Sequence, residues 1–371
     1  MDKTSPILER LEAFLPTLIN RAHQLNGSPF PAKTKTPPPA GRQRSWVHYG
    51  VMVPDLGDEQ RFFNVLSIVG TPGATVFDND YLIKTQPRDT AYLLSTTAKQ
   101  GADEFRSYSI QNECLFNEAG SHVEFGNALQ ISGQYPRFRV LRKFSDGTEI
   151  ELHLEATSAV SYFAHIPGLY LHWSLLCRYH GEIRPAKTGI GLAAENSEVR
   201  AIRGLCTFEY AKGVGVYSLA SQPVPPSKKI PIQFFTYQII NLDEETQLLF
   251  TRLLGPRDFV IQQALYVRKV DGTSVVHTKA VRMDVVEYLE HSHTTPDGHV
   301  MALPQRLTWQ VKDASGNRLL ELDCTVDTPY TYGLGAGFVT SYQFSGSFKE
   351  RSVRGRGYME YIDRRAHSEN G

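Results

Sequence analysis

The sequence lacks several features that identify common protein classes. Its four cysteines are isolated and none forms a Cys-x-x-Cys pair, which disfavours a secreted protein built on disulfides. Lys plus Arg and Asp plus Glu both number 39, so there is no basic excess for phosphate contacts, and no nucleic acid partner is expected. No apolar run of about 18 residues occurs, which predicts the absence of a transmembrane helix.

Recognisable cofactor and hydrolase motifs are also missing. Gly70-Thr-Pro-Gly73 lacks the Gly-Lys-Ser/Thr ending of a nucleotide-binding loop, and no Gly-x-Ser-x-Gly elbow occurs. The N-terminal 25 residues have acids among their apolar residues and no cleavage site typical of a secretory signal. We therefore expect a cytoplasmic protein without a cofactor, whose oligomeric state the sequence leaves open.

One helix is predicted, over residues 5–25, where Ser5 can cap the first turn and apolar residues recur at helical spacing. This helix either packs on the body of the protein or makes peripheral contact with a membrane surface. Residues 26–45 are rich in proline and lysine without periodicity, which predicts a linker. Residues 1–45 thus form an N-terminal helix and linker.

The rest of the chain, with 11% aromatic residues overall, has the alternation typical of β-strands. Three hairpins are predicted where short turns rich in Asp and Gly separate strand-like runs, at 137–156, 259–283 and 306–326. A proline-rich break, SQPVPPSKKIP, divides this region. We predict an all-β fold of two antiparallel β-domains, at 46–222 and 232–371, joined by a linker at 223–231.

Two segments resemble the hydroxyneurosporene synthase/AttH-like superfamily. They are HWSLLCRYHGEI and RAIRGLCTFEYAKG, whose matching positions are Trp173, Ser174, Arg178, Gly181, Gly204 and Glu209. The C-terminal run is similar to the closing strands of that superfamily, through Gly355, Gly357, Tyr358, Met359 and Glu360. The resemblance implies two lipocalin-like β-barrels in tandem, in a group that includes carotenoid hydratases and cofactor-free cyclases. Glu209 stands where the superfamily pattern has Asp.

Glu209 lies in an apolar strand, which raises two alternatives. On this strand Leu205, Thr207, Glu209 and Ala211 share one face, and Cys206, Phe208 and Tyr210 share the other. In the first alternative, burial raises the pKa of Glu209, which then protonates an alkene or holds an enol. In the second, Glu209 pairs with a buried arginine such as Arg178 or Arg203.

The strand that precedes Glu209 supplies further candidates. Alternation places His172, Ser174 and Arg178 on one face, which either lines a pocket or faces solvent, and Trp173 on the other. We predict Glu209 as the catalytic residue and the following as substrate-binding residues: His172, Trp173, Arg178 and Tyr210.

Two other groups of polar residues are predicted to have no functional role. Arg356, Tyr358 and Glu360 alternate on the last strand, where a charged face is usually solvated. His291, His293 and His299 lie in a predicted loop, and a mobile loop is favoured there over a zinc site. No metal site is predicted.

The sequence therefore indicates a protein that binds a hydrophobic small molecule, such as an isoprenoid, steroid, fatty acid or polyketide. Cofactor-free hydration, isomerisation or cyclisation follows if Glu209 faces the cavity. The alternatives are a non-catalytic lipid carrier, and a structural or interaction module with filled barrels.

Overall fold

The computed structural model describes residues 17, 21–39, 45–186, 198–215, 220–333 and 335–365, which are almost entirely β-structure. An eleven-stranded antiparallel sheet contains β1 Ser45–Gly57, β2 Arg61–Val69, β3 Thr90–Leu94, β4 Phe105–Ser109, β5 Cys114–Phe116, β6 His122–Phe125, β7 Leu129–Gln134, β8 Arg137–Lys143, β9 Glu149–Ile166, β10 Tyr170–Arg184 and β11 Arg200–Val214. We call it the first sheet.

The second sheet contains ten strands: β12 Phe234–Asn241, β13 Thr246–Leu254, β14 Val260–Lys269, β15 Ser274–His277, β16 Val281–Tyr288, β19 Pro304–Lys312, β20 Arg318–Val326, β21 Thr331–Gly333, β22 Gly337–Phe348 and β23 Arg351–Asp363. A separate ribbon pairs β17 His293–Thr294 with β18 Val300–Met301. Short helical turns occur at Asp80–Leu82, Pro87–Asp89, Ala102–Glu104, Ile110–Glu113, Pro226–Lys228 and Pro256–Asp258. The predicted all-β fold of tandem lipocalin-like barrels is confirmed.

The predicted hairpins at 137–156 and 306–326 are confirmed by strand pairing, and the one at 259–283 is confirmed in part, because β15 pairs with β14 whereas β16 pairs with β19. Lys143 of β8 lies opposite Glu149 of β9, and Arg268 of β14 lies opposite Ser274 of β15. In the third hairpin, Lys312 of β19 lies opposite Arg318 of β20. Their turns are short and local, and the flanking strands alternate between buried and exposed positions, so the sequence pattern sufficed to predict them.

The first sheet curls into a nearly closed barrel. Its order runs from β4 through β3, β2, β1, β11, β10, β9, β8, β7 and β6 to β5. The two edge strands are neighbours in the chain, because only the one-turn helix Ile110–Glu113 separates β4 from β5. Aromatic side chains fill the interior: Phe138 stacks on Phe208 with ring centroids 3.9 Å apart, and Trp173 lies 5.6 Å from Tyr210.

Residues 26–39, the described part of the predicted linker at 26–45, pack against the first barrel. Phe30 is 5% exposed and packs against Trp173, with ring centroids 4.8 Å apart. The hydroxyls of Tyr49 and Tyr210 donate to the carbonyls of Thr36 and Pro37, at 2.9 and 2.8 Å. This segment, which we call the N-terminal arm, builds no core of its own and instead completes the core of the first barrel.

The second sheet also has a filled interior. Trp309 stacks on Phe250 at 4.6 Å between ring centroids, and its indole Nε1 donates to Gln238 Oε1 at 2.9 Å. Since Trp309 is completely buried, this hydrogen bond satisfies a donor that water cannot reach.

The two sheets pack against one another through both apolar and polar contacts. Phe62 lies against Tyr358 at 5.3 Å between ring centroids, and Asn64 donates to the Tyr358 hydroxyl at 3.1 Å. Arg268 of β14, fully buried, donates to Ser174 Oγ of β10 at 2.8 Å. Strands β1, β10 and β11 of the first sheet therefore have their outward faces covered.

The predicted linker at 223–231 makes ion pairs with residues that follow β2 in the chain. Within the break at 223–231, Lys229 is buried and lies 3.0 Å from Asp78 and 2.7 Å from Asp80. The domain boundaries themselves stay a prediction.

Most of the helix predicted at 5–25 lies outside the described residues, as does any membrane contact it would make. None of the helices in the described ranges is both long and apolar enough to span a membrane.

Candidate functional site between the sheets

Glu209 lies at the centre of β11, where it is covered from both sides. It stands opposite Gly50 of β1 and Ser174 of β10, and is 3% exposed. Tyr237, which comes from β12 of the second sheet, donates its hydroxyl to Glu209 Oε1. The carboxylate is therefore held by both sheets at once.

Two histidines flank the other carboxylate oxygen. His48 Nε2 of β1 lies 3.8 Å from Glu209 Oε2, and His172 Nε2 of β10 lies 3.6 Å from it. The second ring nitrogen of each is engaged elsewhere: His48 Nδ1 lies 2.8 Å from the Ser67 carbonyl, and His172 Nδ1 lies 3.0 Å from the Tyr170 hydroxyl. Because β11 runs between β1 and β10, the three side chains project from neighbouring strands on one face.

Gly50 makes room for this arrangement. A Cβ atom at this position would lie 2.7 Å from His48 Nε2 and 3.2 Å from the Glu209 Cβ. Contacts of this length require the imidazole to move. Gly50 thus leaves the space into which the His48 ring folds.

A second carboxyl group, Glu360, lies in the same pocket. It belongs to β23, stands opposite Tyr237, and is 3% exposed. Its Oε1 atom is buried without a hydrogen-bond partner among the described residues. Burial, together with the nearby Glu209 charge, raises the pKa of Glu360 well above its usual value, which favours the protonated form.

Glu209 has the opposite charge state. Burial raises its pKa, but the contacts with His172 and His48 outweigh burial and hold the pKa well below its ordinary range. Burial lowers the pKa of His172 more than Glu209 raises it, so that imidazole is neutral at neutral pH. The alternative in which burial raises the pKa of Glu209 is therefore wrong. The two carboxyl groups of the pocket have pKa values shifted in opposite directions, which is the pattern expected of a base and an acid.

The cavity at this site has a volume of about 60 Å³. It is lined by Trp46, His48, Leu66, Ile68, Phe77, Tyr170, His172, Glu209, Ala211, Phe235, Tyr237 and Glu360. This space holds a few water molecules and is far below the 300 to 1,000 Å³ typical of pockets for drug-sized ligands. The half-buried aromatic rings of Trp46, Phe77, Tyr170 and Phe235 surround it on the solvent side.

Larger hollows occur on the surface but suit an apolar ligand poorly. One of about 640 Å³ is lined by Arg306, Asp323 and Arg356 among others, and one of about 680 Å³ by Glu151, His153 and related polar residues. Their charged walls would have to be desolvated by an apolar molecule without compensation. The small pocket between the sheets is therefore the better candidate.

Comparison with known proteins gives a family for the chain. The family model described as Family of unknown function (DUF6670) matches residues 66–371. The chain belongs to this family. A search of curated proteins finds no match.

Solved structures similar to this DUF6670 chain include an AttH-like protein from Nitrosomonas europaea, at 12% identity and a TM-score of 0.55. That alignment covers 87% of this chain and 93% of the other. Kievitone hydratase from Nectria haematococca aligns at 12% identity and a TM-score of 0.53, over 92% of this chain and 95% of the other. At such identity the likeness concerns the fold alone. It confirms the resemblance to the AttH-like superfamily at that level.

Of the predicted substrate-binding residues, the structure brings only His172 to Glu209. Trp173 and Tyr210 are buried inside the first barrel, on the opposite face of their strands. Arg178 is exposed and contacts the Glu244 carbonyl at 3.5 Å. The prediction that Glu209 pairs with Arg178 or Arg203 is wrong, because both arginines are exposed.

The last strand corrects another expectation. The face of Arg356, Tyr358 and Glu360 was predicted to be solvated, yet Tyr358 and Glu360 are buried against the first sheet. Only Arg356 lies outside the interface, 3.2 Å from Asp327.

The three histidines of the predicted loop do not assemble. His293 packs against the Phe338 ring, and His299 Nε2 lies 2.9 Å from the Asp363 carbonyl. Within the described ranges, the group of three potential metal donors is a different one, formed by His48, His172 and Glu209.

Sequence reasoning missed His48 and Tyr237. His48 follows Trp46 in an alternating strand, and its polar character among apolar neighbours was a usable signal. Tyr237 offered none, because a tyrosine in an apolar strand is common in any β-protein.

Proposed function

We propose that this chain binds the reactive end of an apolar molecule between its two sheets and transfers protons to and from it. Hydration, isomerisation and cyclisation all fit this chemistry. The observation that carries the proposal is the pair of buried carboxyl groups in one pocket, Glu209 and Glu360, whose surroundings shift their pKa values in opposite directions.

The pocket supports a division of roles. Glu209 is oriented by Tyr237 and the two histidines, which suits a base that removes a proton. Glu360 retains its proton and has an unpartnered oxygen, which suits a donor. Water in the cavity of about 60 Å³ would supply the hydroxyl of a hydration reaction.

The small cavity narrows the class of ligand. A molecule with a flexible or planar end can place that end in the pocket, while its remainder lies across the aromatic rim of Trp46, Phe77, Tyr170 and Phe235. A rigid steroid does not fit in the enclosed volume unless these rings move. Among the similar structures, one is named a hydratase, which agrees with alkene or enone hydration.

The test begins with identifying the ligand by mass spectrometry of protein purified under native conditions. Glu209→Gln and Glu360→Gln keep the shape of the side chain, and we expect each to reduce turnover by about 10²- to 10⁴-fold while binding persists. Glu124→Gln is the matched control, because Glu124 also contacts a histidine, His122, at 2.8 Å but lies on the outside of the first barrel.

The two alternative functions predict different results in these experiments. A lipid carrier would bind the ligand and show no turnover even as wild type. A structural module, which the filled barrel interiors favour, would carry no copurified ligand and show no saturable binding of an apolar dye. Retention of full turnover by both carboxamide variants would disprove the proton-transfer roles. A cytoplasmic location stays a prediction.

A further inference from the structure

We propose that His48, His172 and Glu209 form a binding site for a divalent transition-metal ion, with zinc the best match to the donors. This inference goes beyond the proposed function and is an alternative to its base role for Glu209, because the Glu209 oxygen that faces the two histidines would be a metal ligand. Two imidazoles and one carboxylate are a donor set that proteins use for zinc.

The distances between the donor atoms fit a small tetrahedral ion. Glu209 Oε2 lies 3.6 Å from His172 Nε2 and 3.8 Å from His48 Nε2, and the three donor atoms all lie within 4.8 Å of one another. Zinc bonds of about 2.0 to 2.2 Å at tetrahedral angles separate neighbouring ligand atoms by about 3.3 to 3.6 Å. Small rotations of the imidazoles therefore suffice to place all three donors around one ion.

The outer contacts are those that orient metal ligands. His48 Nδ1 lies 2.8 Å from the Ser67 carbonyl, which only accepts, so this nitrogen donates and Nε2 is the ring nitrogen that faces Glu209. The Tyr170 hydroxyl lies 3.0 Å from His172 Nδ1, and Tyr237 donates to Glu209 Oε1, the oxygen that faces away from the histidines. Each ligand thus has a partner behind it and its free donor atom in front, as in established zinc sites.

The atoms that face one another at this site leave hydrogen-bonding capacity unused. His48 Nε2 lies 3.8 Å from the Glu209 carboxylate oxygen, beyond hydrogen-bond distance, and His172 Nε2 is buried without a hydrogen-bond partner among the described residues. Buried polar groups normally have partners. A metal ion at the common centre would satisfy all three donor atoms at once.

The site also leaves a coordination position open. The cavity of about 60 Å³ adjoins the three donors and holds water-sized molecules. Three protein ligands and a water describe catalytic zinc sites, whereas structural sites use four protein ligands. Glu360 lines the same cavity, so its carboxyl group would face a metal-bound water across it.

The experiment uses the full chain, freed of metal with a chelator and titrated with Zn²⁺ and with Co²⁺. We expect one equivalent to bind, a cobalt absorption band of tetrahedral type, and a zinc-dependent rise in Tm. His48→Gln and His172→Gln should weaken zinc binding more than 100-fold, since the loss of an outer-shell partner alone typically costs 10- to 100-fold.

His153→Gln is the matched control. His153 lies 3.2 Å from Glu151 on the same sheet, but its side chain is 47% exposed, and it belongs to no group of three donor atoms within 4.8 Å of one another among the described residues. This variant should bind zinc as the wild type does. Equal affinity of all three histidine variants would overturn the proposal.

X-ray absorption of the zinc-loaded wild type decides the matter if a variant fails to fold. We expect two imidazole nitrogens and oxygen ligands around the zinc ion. A coordination sphere that contains sulfur, or that lacks imidazole, would refute the site. Because these measurements need no substrate, their failure leaves the proton-transfer proposal standing, and failure of the carboxamide test leaves the metal site standing.

Discussion

The interior of the first barrel and the space between the sheets are both lined by aromatic rings, but their unsatisfied polar groups differ. In the barrel, the hydroxyls of Tyr49 and Tyr210 have backbone acceptors, and the unpartnered Nε1 of Trp173 is neutral. Between the sheets, the unpartnered atoms among the described residues include His172 Nε2 and Glu360 Oε1, which belong to ionisable groups that line one pocket. A buried polar atom without a partner costs about 1 to 3 kcal/mol, so two titratable groups in one pocket indicate a site retained for a ligand or reaction.

The largest expected effect tests the barrel interior. Trp173→Ala removes a fully buried ring that contacts Phe30 and Tyr210, and we expect it to lower the free energy of unfolding by about 3 to 5 kcal/mol. Denaturant unfolding measures this loss. Since Trp173 points away from Glu209, the folded variant should keep whatever the pocket binds, and loss of that binding would break the distinction between the two regions.

The N-terminal arm gives the next effect. Phe30→Ala should destabilise the protein by about 3 kcal/mol, because the ring fills the barrel beside Trp173 and Tyr135. It should also expose residues 26–39 to proteolysis while the strands persist. Unchanged cleavage in this segment would contradict its role as part of the barrel core.

Replacing either carboxyl group between the sheets should change the stability of the protein by less. The change should depend on pH in opposite directions for Glu360 and Glu209. A raised pKa in the folded state stabilises the protein below the ordinary pKa of 4.5, and this contribution is lost as the pH rises. Glu360→Gln should therefore gain stability relative to wild type as the pH increases from 4 to 8, measured by the difference in Tm.

Glu209→Gln should behave in the reverse manner. The lowered pKa of Glu209 stabilises the folded state above the ordinary value of 4.5, and this contribution is lost as the pH falls. The variant should be less stable than wild type at neutral pH, and the gap should close toward acid pH. The same pH trend in both variants would mean that the two carboxyl groups do not differ in charge.

The smallest effect belongs to the outer surface of the barrel. Glu151 lies 2.7 Å from Arg139 and 3.1 Å from Arg184, both of which are well exposed. Glu151→Gln should cost no more than about 1 kcal/mol, because solvent screens such pairs. A larger loss in denaturant unfolding would show that this surface is more coupled to the core than its exposure indicates.

Much of the fold was predictable from sequence because it depends on local signals. The turn at Asp146-Gly147 and the alternation in β8 and β9 fix a hairpin without reference to distant residues. The division of β11 into a face with Phe208 and a face with Glu209 follows from the same two-residue period. These features need only neighbours in the chain.

The site depended on contacts that a local pattern does not contain. Glu209 meets His48 from a strand some 160 residues earlier and Tyr237 from the other sheet. Whether Glu360 faces solvent or Glu209 depends on how the two sheets pack, which alternation along β23 does not specify. The charge states of the two carboxyl groups were therefore beyond the reach of the sequence.

The N-terminal arm has a consequence for ligand exchange. Because Phe30 occupies the barrel and the carbonyls of Thr36 and Pro37 accept from tyrosines inside it, a guest molecule can enter that barrel only by competing with the chain itself. The protein thus carries its own occupant in the compartment that a lipocalin would offer to a ligand. Removing this segment would leave Trp173 without the Phe30 ring that packs on it, and the hydroxyls of Tyr49 and Tyr210 without their carbonyl acceptors.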